Sequence, residues 1–222
     1  MLFAQIVTDT VANPSPQTVS VWDLTLAGGP LMIPIIVSCV IAVYIFVERV
    51  LTIKKANESP EAFMGKIKEL VLRGDINGAK VLCAQHDTPV ARMIEKGVQR
   101  IGSPLKTIEA SIENVAKLEL FKLEKNLSIL ATVAGAAPMM GFLGTVMGMV
   151  TAFISISQEE GSVSPKLLAD GIYTAMITTV AGLIVGILAY LGYNYLVTRV
   201  SKVVNKMEYT SIDFIDLLQE PR

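Results

Sequence analysis

Three long stretches of the chain contain no charged residue, and each could cross a lipid bilayer as a helix. Residues 24–47, 126–158 and 171–198 contain no Asp, Glu, Lys or Arg. A helix needs about 20 predominantly apolar residues to span the hydrocarbon core of a bilayer. The pattern therefore predicts an all-α membrane protein with three transmembrane helices, two of them long and extending into a helical cytoplasmic domain.

The composition agrees with a membrane location. Hydrophobic residues make up 52% of the chain and charged residues only 18%, whereas soluble domains carry about 25% charge. The net charge of -1 gives no electrostatic reason to expect a nucleic-acid partner. Cys39 falls in the first apolar stretch and Cys83 in a polar region, so neither a disulfide between them nor a cysteine metal site is expected.

Basic residues mark one end of every apolar stretch. They are Arg49, Lys54 and Lys55 after the first, Lys117, Lys122 and Lys125 before the second, and Arg199, Lys202 and Lys206 after the third. Residues 159–166 hold two acids and one base. By the positive-inside rule, this short loop and the N-terminus lie outside and residues 53–125 lie in the cytoplasm. Since no basic residue precedes the first stretch, we expect a retained helix, not a cleaved signal peptide.

These patterns divide the chain into seven segments. They are an external N-terminal tail (1–23), a first transmembrane helix (24–52), a cytoplasmic helical domain (53–125), a second transmembrane helix (126–158), a short external loop (159–166), a third transmembrane helix (167–200) and a cytoplasmic tail (201–222).

Turn-forming residues and apolar periodicity predict the helices inside the cytoplasmic domain. The expected breaks are at Gly74-Asp75, Gly78 and residues 86–89. Ser103 is expected to cap a longer helix with Pro104 at its first position. Apolar residues then recur at helical spacing, at Leu105, Ile108, Ile112, Val115 and Leu118.

No turn-forming residue interrupts the chain between Leu105 and Ala134, so we predict one continuous helix from the cytoplasm into the second span. The third span is expected to begin similarly, with Ser164 as its cap and Pro165 after it. It is expected to continue into the cytoplasm through Val203.

Nothing in the sequence indicates an enzyme. There is no glycine-rich phosphate loop, nucleophile elbow or paired acid and base spacing. The single histidine, His86, lies beside a proline in a predicted turn, with no metal-ligand pattern around it. We expect neither a cofactor nor a metal.

Small and hydroxyl-bearing residues form a face on each of the last two spans. They are Pro138, Gly141, Thr145, Gly148 and Ala152 on the second, and Ala175, Thr179, Gly182, Gly186, Ala189 and Tyr193, with Thr178 beside them, on the third. Two hypotheses stay open for these faces.

In the first hypothesis the faces are helix contacts, because Gly144–Gly148 and Gly182–Gly186 have the four-residue spacing that allows close approach in membranes. In the second, Thr145, Thr178 and Thr179 line a passage shaped by Pro138 and the glycines. The three apolar stretches contain no carboxylate, Lys, Arg or His, although proton carriers in membranes are normally titratable groups. A proton-driven machine would therefore need another subunit to supply the carboxylate.

Two segments resemble signatures of the MotA/TolQ/ExbB proton-channel family. Residues 137–149, APMMGFLGTVMGM, resemble its APLLGLLGTVxGM signature, and residues 171–183, GIYTAMITTVAGL, resemble its GIxxALxTTxxGL signature. Tyr193-Asn194 matches the YN that follows. The three-span layout is closer to ExbB and TolQ than to the four-span MotA.

The resemblance implies a homopentamer in the bacterial inner membrane, with a periplasmic N-terminus and a cytoplasmic C-terminus, surrounding a dimer of a single-span ExbD- or TolR-like partner. A transmembrane Asp of that partner would carry the proton, and motion would pass to TonB or TolA. Thr145 and Thr179 match family threonines thought to face the partner. Thr174 stands where some members carry Glu, and Asp170 is a candidate outer-end acid.

The resulting expectation is an ExbB-like subunit that energises TonB-dependent outer-membrane transport with an ExbD-like partner. A TolQ-like subunit for envelope integrity, a motility stator and a non-conducting scaffold are the alternatives. Sequence alone leaves open whether the ion is a proton or sodium.

The charge pattern makes a testable prediction about topology. A cysteine introduced at Gly161 should react with a membrane-impermeant maleimide in intact cells, whereas one introduced at Gly97 should react only after permeabilisation, because the basic residues place it in the cytoplasm. The reverse labelling pattern would overturn the assignment.

Overall fold

A computed structural model of the chain describes residues 25, 28–56, 60–158 and 165–219. The predicted tail 1–23 and, from the predicted loop, residues 159–164 with the Ser164 cap lie outside these residues. These residues form seven helices of more than one turn and contain no strand. They are α1 (Met32–Ala56), α2 (Glu61–Leu72), α3 (Ile76–Gln85), α4 (Pro89–Gln99), α5 (Leu105–Glu124), α6 (Leu127–Gln158) and α7 (Pro165–Gln219).

Three helical stretches are long and apolar enough to cross a membrane, which confirms the predicted fold class. They fall within Met32–Leu72, Leu105–Gln158 and Leu168–Gln219, and at most 33% of the most apolar window of each is buried inside the chain. Large apolar side chains such as Ile33, Phe142 and Leu188 are more than 60% exposed. Exposed apolar surface on this scale is stable next to lipid and unfavourable in water.

The spanning parts of α1, α6 and α7 pack side by side, with α6 and α7 in contact along most of the span. Ile35, Ile45 and Leu130 are almost fully buried where the three helices meet. Because lipid competes with apolar side chains for apolar surface, close fitting of the helices must hold them together.

The predicted continuous helix from Leu105 into the second span is wrong. Helix α5 ends at Glu124, Lys125 is extended, and Asn126 takes a left-handed conformation with φ 64° before α6 starts at Leu127. Asn tolerates this conformation better than most residues, and its carbonyl accepts the first hydrogen bonds of α6, from Ile129 and Leu130. The chain can therefore change direction here without a glycine or a proline.

Arg49 of α1 supports the break between α5 and α6. Its side chain is only 5% exposed, and its Nη1 donates to the carbonyl oxygen of Lys122 at 3.0 Å. In a continuous helix that carbonyl would accept from the N–H of Asn126. Arg49 also pairs with Glu48, so the buried guanidinium has a counter-charge.

Short capped helices make up the polar region between α1 and α6. The Asp75 carboxylate accepts from the N–H of Gly78 at 2.8 Å and begins α3, so Gly78 lies inside a helix and is not the predicted break. The Thr88 hydroxyl accepts from the N–H of Ala91 and begins α4. The predicted Ser103 cap is also wrong, since Pro104 occupies the N-cap and α5 starts at Leu105.

The predicted apolar stripe of α5 is partly wrong. Ile108 and Ile112 are buried, but Leu118 is 63% exposed and Glu119 takes the inward position at 3% exposure. Glu119 accepts hydrogen bonds from Arg92 Nη2 at 2.6 Å and from Lys122 Nζ at 2.7 Å. These cations compensate the cost of burying the carboxylate, so an ion cluster and not apolar spacing decides which face turns inward.

Helix α7 runs 55 residues to Gln219, beyond the predicted end near Val203. Its last turns pack on the polar region, where Phe214 is fully buried. A Cβ on Gly97 would lie 2.6 Å from Phe214 Cε1 and 2.8 Å from Ile112 Cδ1, so a cysteine there would disturb the packing. Gly65, which has open space around it, is the better labelling position for the cytoplasmic side.

Glu119 should stabilise the polar region in a pH-dependent way. Burial alone would raise the pKa of Glu119, but the hydrogen bonds from Arg92 and Lys122 outweigh it and hold the pKa below its usual value. The ion cluster therefore stabilises the fold fully above the unfolded carboxyl pKa of about 4.3 and is lost as the pH falls through the folded-state value.

The substitution Glu119→Gln is expected to lower the free energy of unfolding by about 1–3 kcal/mol at pH 7. The difference from wild type should shrink below about pH 4, as measured by thermal unfolding in detergent followed by circular dichroism. Glu113→Gln, which breaks an exposed pair with Lys117, should cost less than about 0.5 kcal/mol. Equal losses in the two variants would contradict a special role for Glu119.

Candidate functional site

Helices α6 and α7 approach closely because glycines on each face the backbone or small side chains of the other. A Cβ on Gly141 would lie 2.9 Å from the Thr178 carbonyl oxygen, and one on Gly182 would lie 2.5 Å from the Ala137 carbonyl oxygen. Real Cβ atoms are not found so close to backbone. Any side chain at these positions would force the helices apart.

The four glycines predicted as packing residues all lie in this contact. Gly144 faces the Thr178 side chain, and Gly148 faces Ala175, whose Cβ would be 2.8 Å from a Cβ on the glycine. Gly186 faces the ring of Pro138. The contact therefore extends for about three turns of each helix, from Gly186 and Pro138 at one end to Gly148 and Ala175 at the other.

Pro138 lies in the interior of α6. Because proline has no N–H, the Ala134 carbonyl lacks its usual helical partner. A Cβ on Gly186 would lie 3.1 Å from that carbonyl oxygen, so the absence of a side chain on α7 leaves room for both the ring and the carbonyl. The structure places Pro138 and Gly141 between the helices, with Gly141 buried and Pro138 half-buried.

The three predicted hydroxyl groups have different surroundings. Thr178 is 1% exposed, and its hydroxyl donates to the Ala175 carbonyl of the same helix at 2.8 Å. Thr179 is half-buried and donates across to the Gly141 carbonyl of α6 at 3.0 Å. Thr145 is half-buried and donates to the Phe142 carbonyl at 2.6 Å. Thr145 and Thr179 thus keep an accessible surface, whereas Thr178 is enclosed.

A cavity of about 440 Å³ lies toward the start of α7, between α6, α7 and residues 28–31, and a few polar side chains interrupt its mainly apolar lining. Asp170 and Thr174, both singled out from the sequence, line it, together with Thr151 and Ser155 of α6. The sequence analysis missed Thr151 and Ser155. They could have been found from helical spacing, because Thr151 and Ser155 continue the face of α6 that carries Gly144 and Gly148.

The hydroxyl groups can exchange hydrogen bonds but cannot carry a proton by titration. The hydroxyls of Thr145, Thr178 and Thr179 donate within the fold and keep lone pairs that can accept from water or from a partner. Asp170 is the single carboxylate among the residues lining the cavity near the start of α7. Within the described residues, no group of three or more His, Cys, Asp or Glu could hold a metal ion.

Comparison with known proteins finds a family match that covers most of the polar region and the last two spans. Residues 85–209 match the MotA/TolQ/ExbB proton channel family. This range includes both signature segments and the whole contact between α6 and α7 from Pro138 to Gly186.

Three relatives illustrate the similarity. A putative biopolymer transport protein ExbB homolog of Methanothermobacter thermautotrophicus is 28% identical over 70% of this chain and 54% of its own length. Biopolymer transport protein ExbB of Aquifex aeolicus is 40% identical over 47% of this chain and 69% of its own. Tol-Pal system protein TolQ of Haemophilus influenzae is 38% identical over 44% and 41%.

The match to the Methanothermobacter relative thus spans about half of that protein's length. The family match itself covers more than half of the present chain. The chain belongs to the MotA/TolQ/ExbB proton channel family.

Proposed function

We propose that the chain is an ExbB-like subunit of an inner-membrane motor that uses the proton gradient to energise TonB-dependent outer-membrane transport. The observation that carries the proposal is the face formed by α6 and α7. It offers accessible hydroxyls at Thr145 and Thr179 on closely packed helices, but residues 127–158 and 171–198 contain no carboxylate, Lys, Arg or His.

The missing carboxylate defines the partner. A proton must reside on a titratable group at membrane depth, so a second subunit has to bring that group against the hydroxyl-bearing face. An ExbD-like single-span protein with a membrane Asp fits this requirement. Thr145 and Thr179 would accept from the protonated Asp, and each would release its present carbonyl partner to donate to the ionised Asp, because a hydroxyl has a single proton to donate.

Several copies of the chain are needed to surround such a partner. One chain presents a single hydroxyl-bearing face, flanked by exposed apolar side chains such as Met139, Phe142 and Val146. We propose a homopentamer, as in the family, with these side chains in contact with neighbouring copies or with the partner. The N-terminus would then be periplasmic and the polar region cytoplasmic.

Asp170 and Thr174 give the outer end a different arrangement from relatives that carry a glutamate at position 174. The two residues are one helical turn apart and line the same cavity as Thr151 and Ser155. In our proposal the proton enters the complex through this cavity, with Asp170 supplying the charge that Thr174 lacks.

A TolQ-like role in envelope integrity is the second candidate, favoured by the 38% identity to the TolQ of Haemophilus influenzae over 98 residues. Co-purification of the neighbouring single-span protein, followed by mass measurement of the intact complex, separates the two. Loss of siderophore uptake on gene deletion supports the ExbB-like role, whereas detergent sensitivity with normal uptake supports the TolQ-like one.

The double variant Thr145→Val with Thr179→Val should abolish energy-dependent uptake while the complex still assembles. Valine keeps the shape of threonine but removes the hydroxyl, so the partner loses its hydrogen-bonding face. Uptake is measured in a deletion strain, and assembly by co-purification with the partner. Full uptake by the double variant would reject the proposed pore role and favour a non-conducting scaffold.

The matched control is Thr132→Val with Thr198→Val. These threonines lie on the same two helices, are exposed, and donate to carbonyls of their own helices at 2.9 Å. The control removes the same number of hydroxyls away from the proposed pore, so uptake should stay near the wild-type level.

A further inference from the structure

An apolar groove runs between α1 and α7. It has a volume of about 420 Å³, and Leu130 of α6 forms part of its lining. Small residues create the space, with Ala42 on α1 and Ala189 and Gly192 on α7. Val43 and Leu188 at its edge are 58% and 62% exposed, so the groove is open at the surface of the chain.

A second cavity, of about 380 Å³, lies at the inner end of the groove and shares Tyr195 with it. Two cations line this second cavity, Lys54 of α1 and Arg199 of α7. The Arg199 guanidinium lies 5.0 Å from the centre of the Tyr195 ring. No carboxylate lines either cavity, and within the described part of the chain neither cation has an acidic partner.

The groove has the length of one bilayer leaflet. From Val185 to Tyr195 it follows ten residues of helix, or about 15 Å, which is half of the hydrocarbon core of about 30 Å. Its charged end lies where α1 and α7 leave the apolar spans. An apolar slot of leaflet length that ends in two uncompensated cations matches a lipid with an anionic headgroup.

The geometry points to a binding site for one anionic glycerophospholipid of the inner leaflet. The groove holds an acyl chain, and Lys54 and Arg199 bind the headgroup phosphate, with Tyr195 at the glycerol level. Basic pockets beside membrane helices recognise such headgroups, with about 1 kcal/mol gained for each Lys or Arg. The site lies outside the α6–α7 contact and does not depend on the proposed motor role, and its place in the inner leaflet rests on the proposed orientation.

The site can be tested on the full-length chain, purified in detergent in its native complex and freed of lipid. Native mass spectrometry during titration with phosphatidylglycerol should show one tightly held lipid for each chain, and phosphatidylcholine should bind more weakly. In Lys54→Ala with Arg199→Ala, phosphatidylglycerol binding should weaken about 30-fold, or about fivefold for each cation.

Lys55→Ala with Lys202→Ala is the matched control, because both lysines are exposed and lie beside the site without lining it. This control should bind phosphatidylglycerol as the wild type does. Cys39→Phe keeps both cations but fills the groove, and it should also weaken binding; equal elution volumes on size exclusion establish that each variant is assembled.

Three outcomes would overturn the assignment. The first is equal affinity for phosphatidylcholine and phosphatidylglycerol, which would show that the site does not select an anionic headgroup. The second is unchanged binding in both the double alanine variant and Cys39→Phe. The third is displacement of the lipid by millimolar inorganic phosphate, which would indicate a site for a free anion.

Discussion

The structure depends on the direct approach of two helix backbones, α6 and α7, inside an apolar solvent. Apolar side chains gain little by leaving lipid for another helix, so contact must come from close fitting. Glycines supply it, since Gly141 and Gly182 each face a backbone atom where a Cβ has no room. The same closeness lets the Thr179 hydroxyl reach the Gly141 carbonyl. The close packing of the two helices therefore also fixes the position of the Thr179 hydroxyl.

The small-residue faces can serve both as helix contacts and as the lining of a passage, because different residues of each helix are available for the two roles. Gly144 and Thr178 meet inside the contact, which leaves Thr178 enclosed. Thr145 and Thr179, one position along on each helix, keep accessible surface. Successive residues of a helix point about 100° apart. One residue can therefore pack against the other helix while its neighbour in the sequence faces a passage.

The sequence predicted the features that depend on helical periodicity. The glycine contacts follow from spacing of three and four residues on two helices, and the three spans follow from length and the absence of charge. The break at Asn126 could not be found in this way, because Asn also occurs inside helices and the stabilising groups, Arg49 and Glu48, come from α1. The inward position of Glu119 likewise depends on Arg92, 27 residues away. Both features arise from contacts of charged side chains with residues distant in the sequence, which a local pattern does not contain.

The two helices that carry the hydroxyl groups are connected to the polar region in different ways, and this limits how motion can pass between them. Helix α6 is separated from α5 at Lys125 and Asn126, where the chain is held by side-chain hydrogen bonds from α1. Helix α7 continues without a break for 55 residues, about 80 Å, and carries Asp170 near one end and Phe214, packed against Gly97, near the other. In the proposed motor, a displacement at Thr179 would therefore pass to the polar region along one unbroken helix, whereas a displacement at Thr145 would meet the break that Arg49 holds.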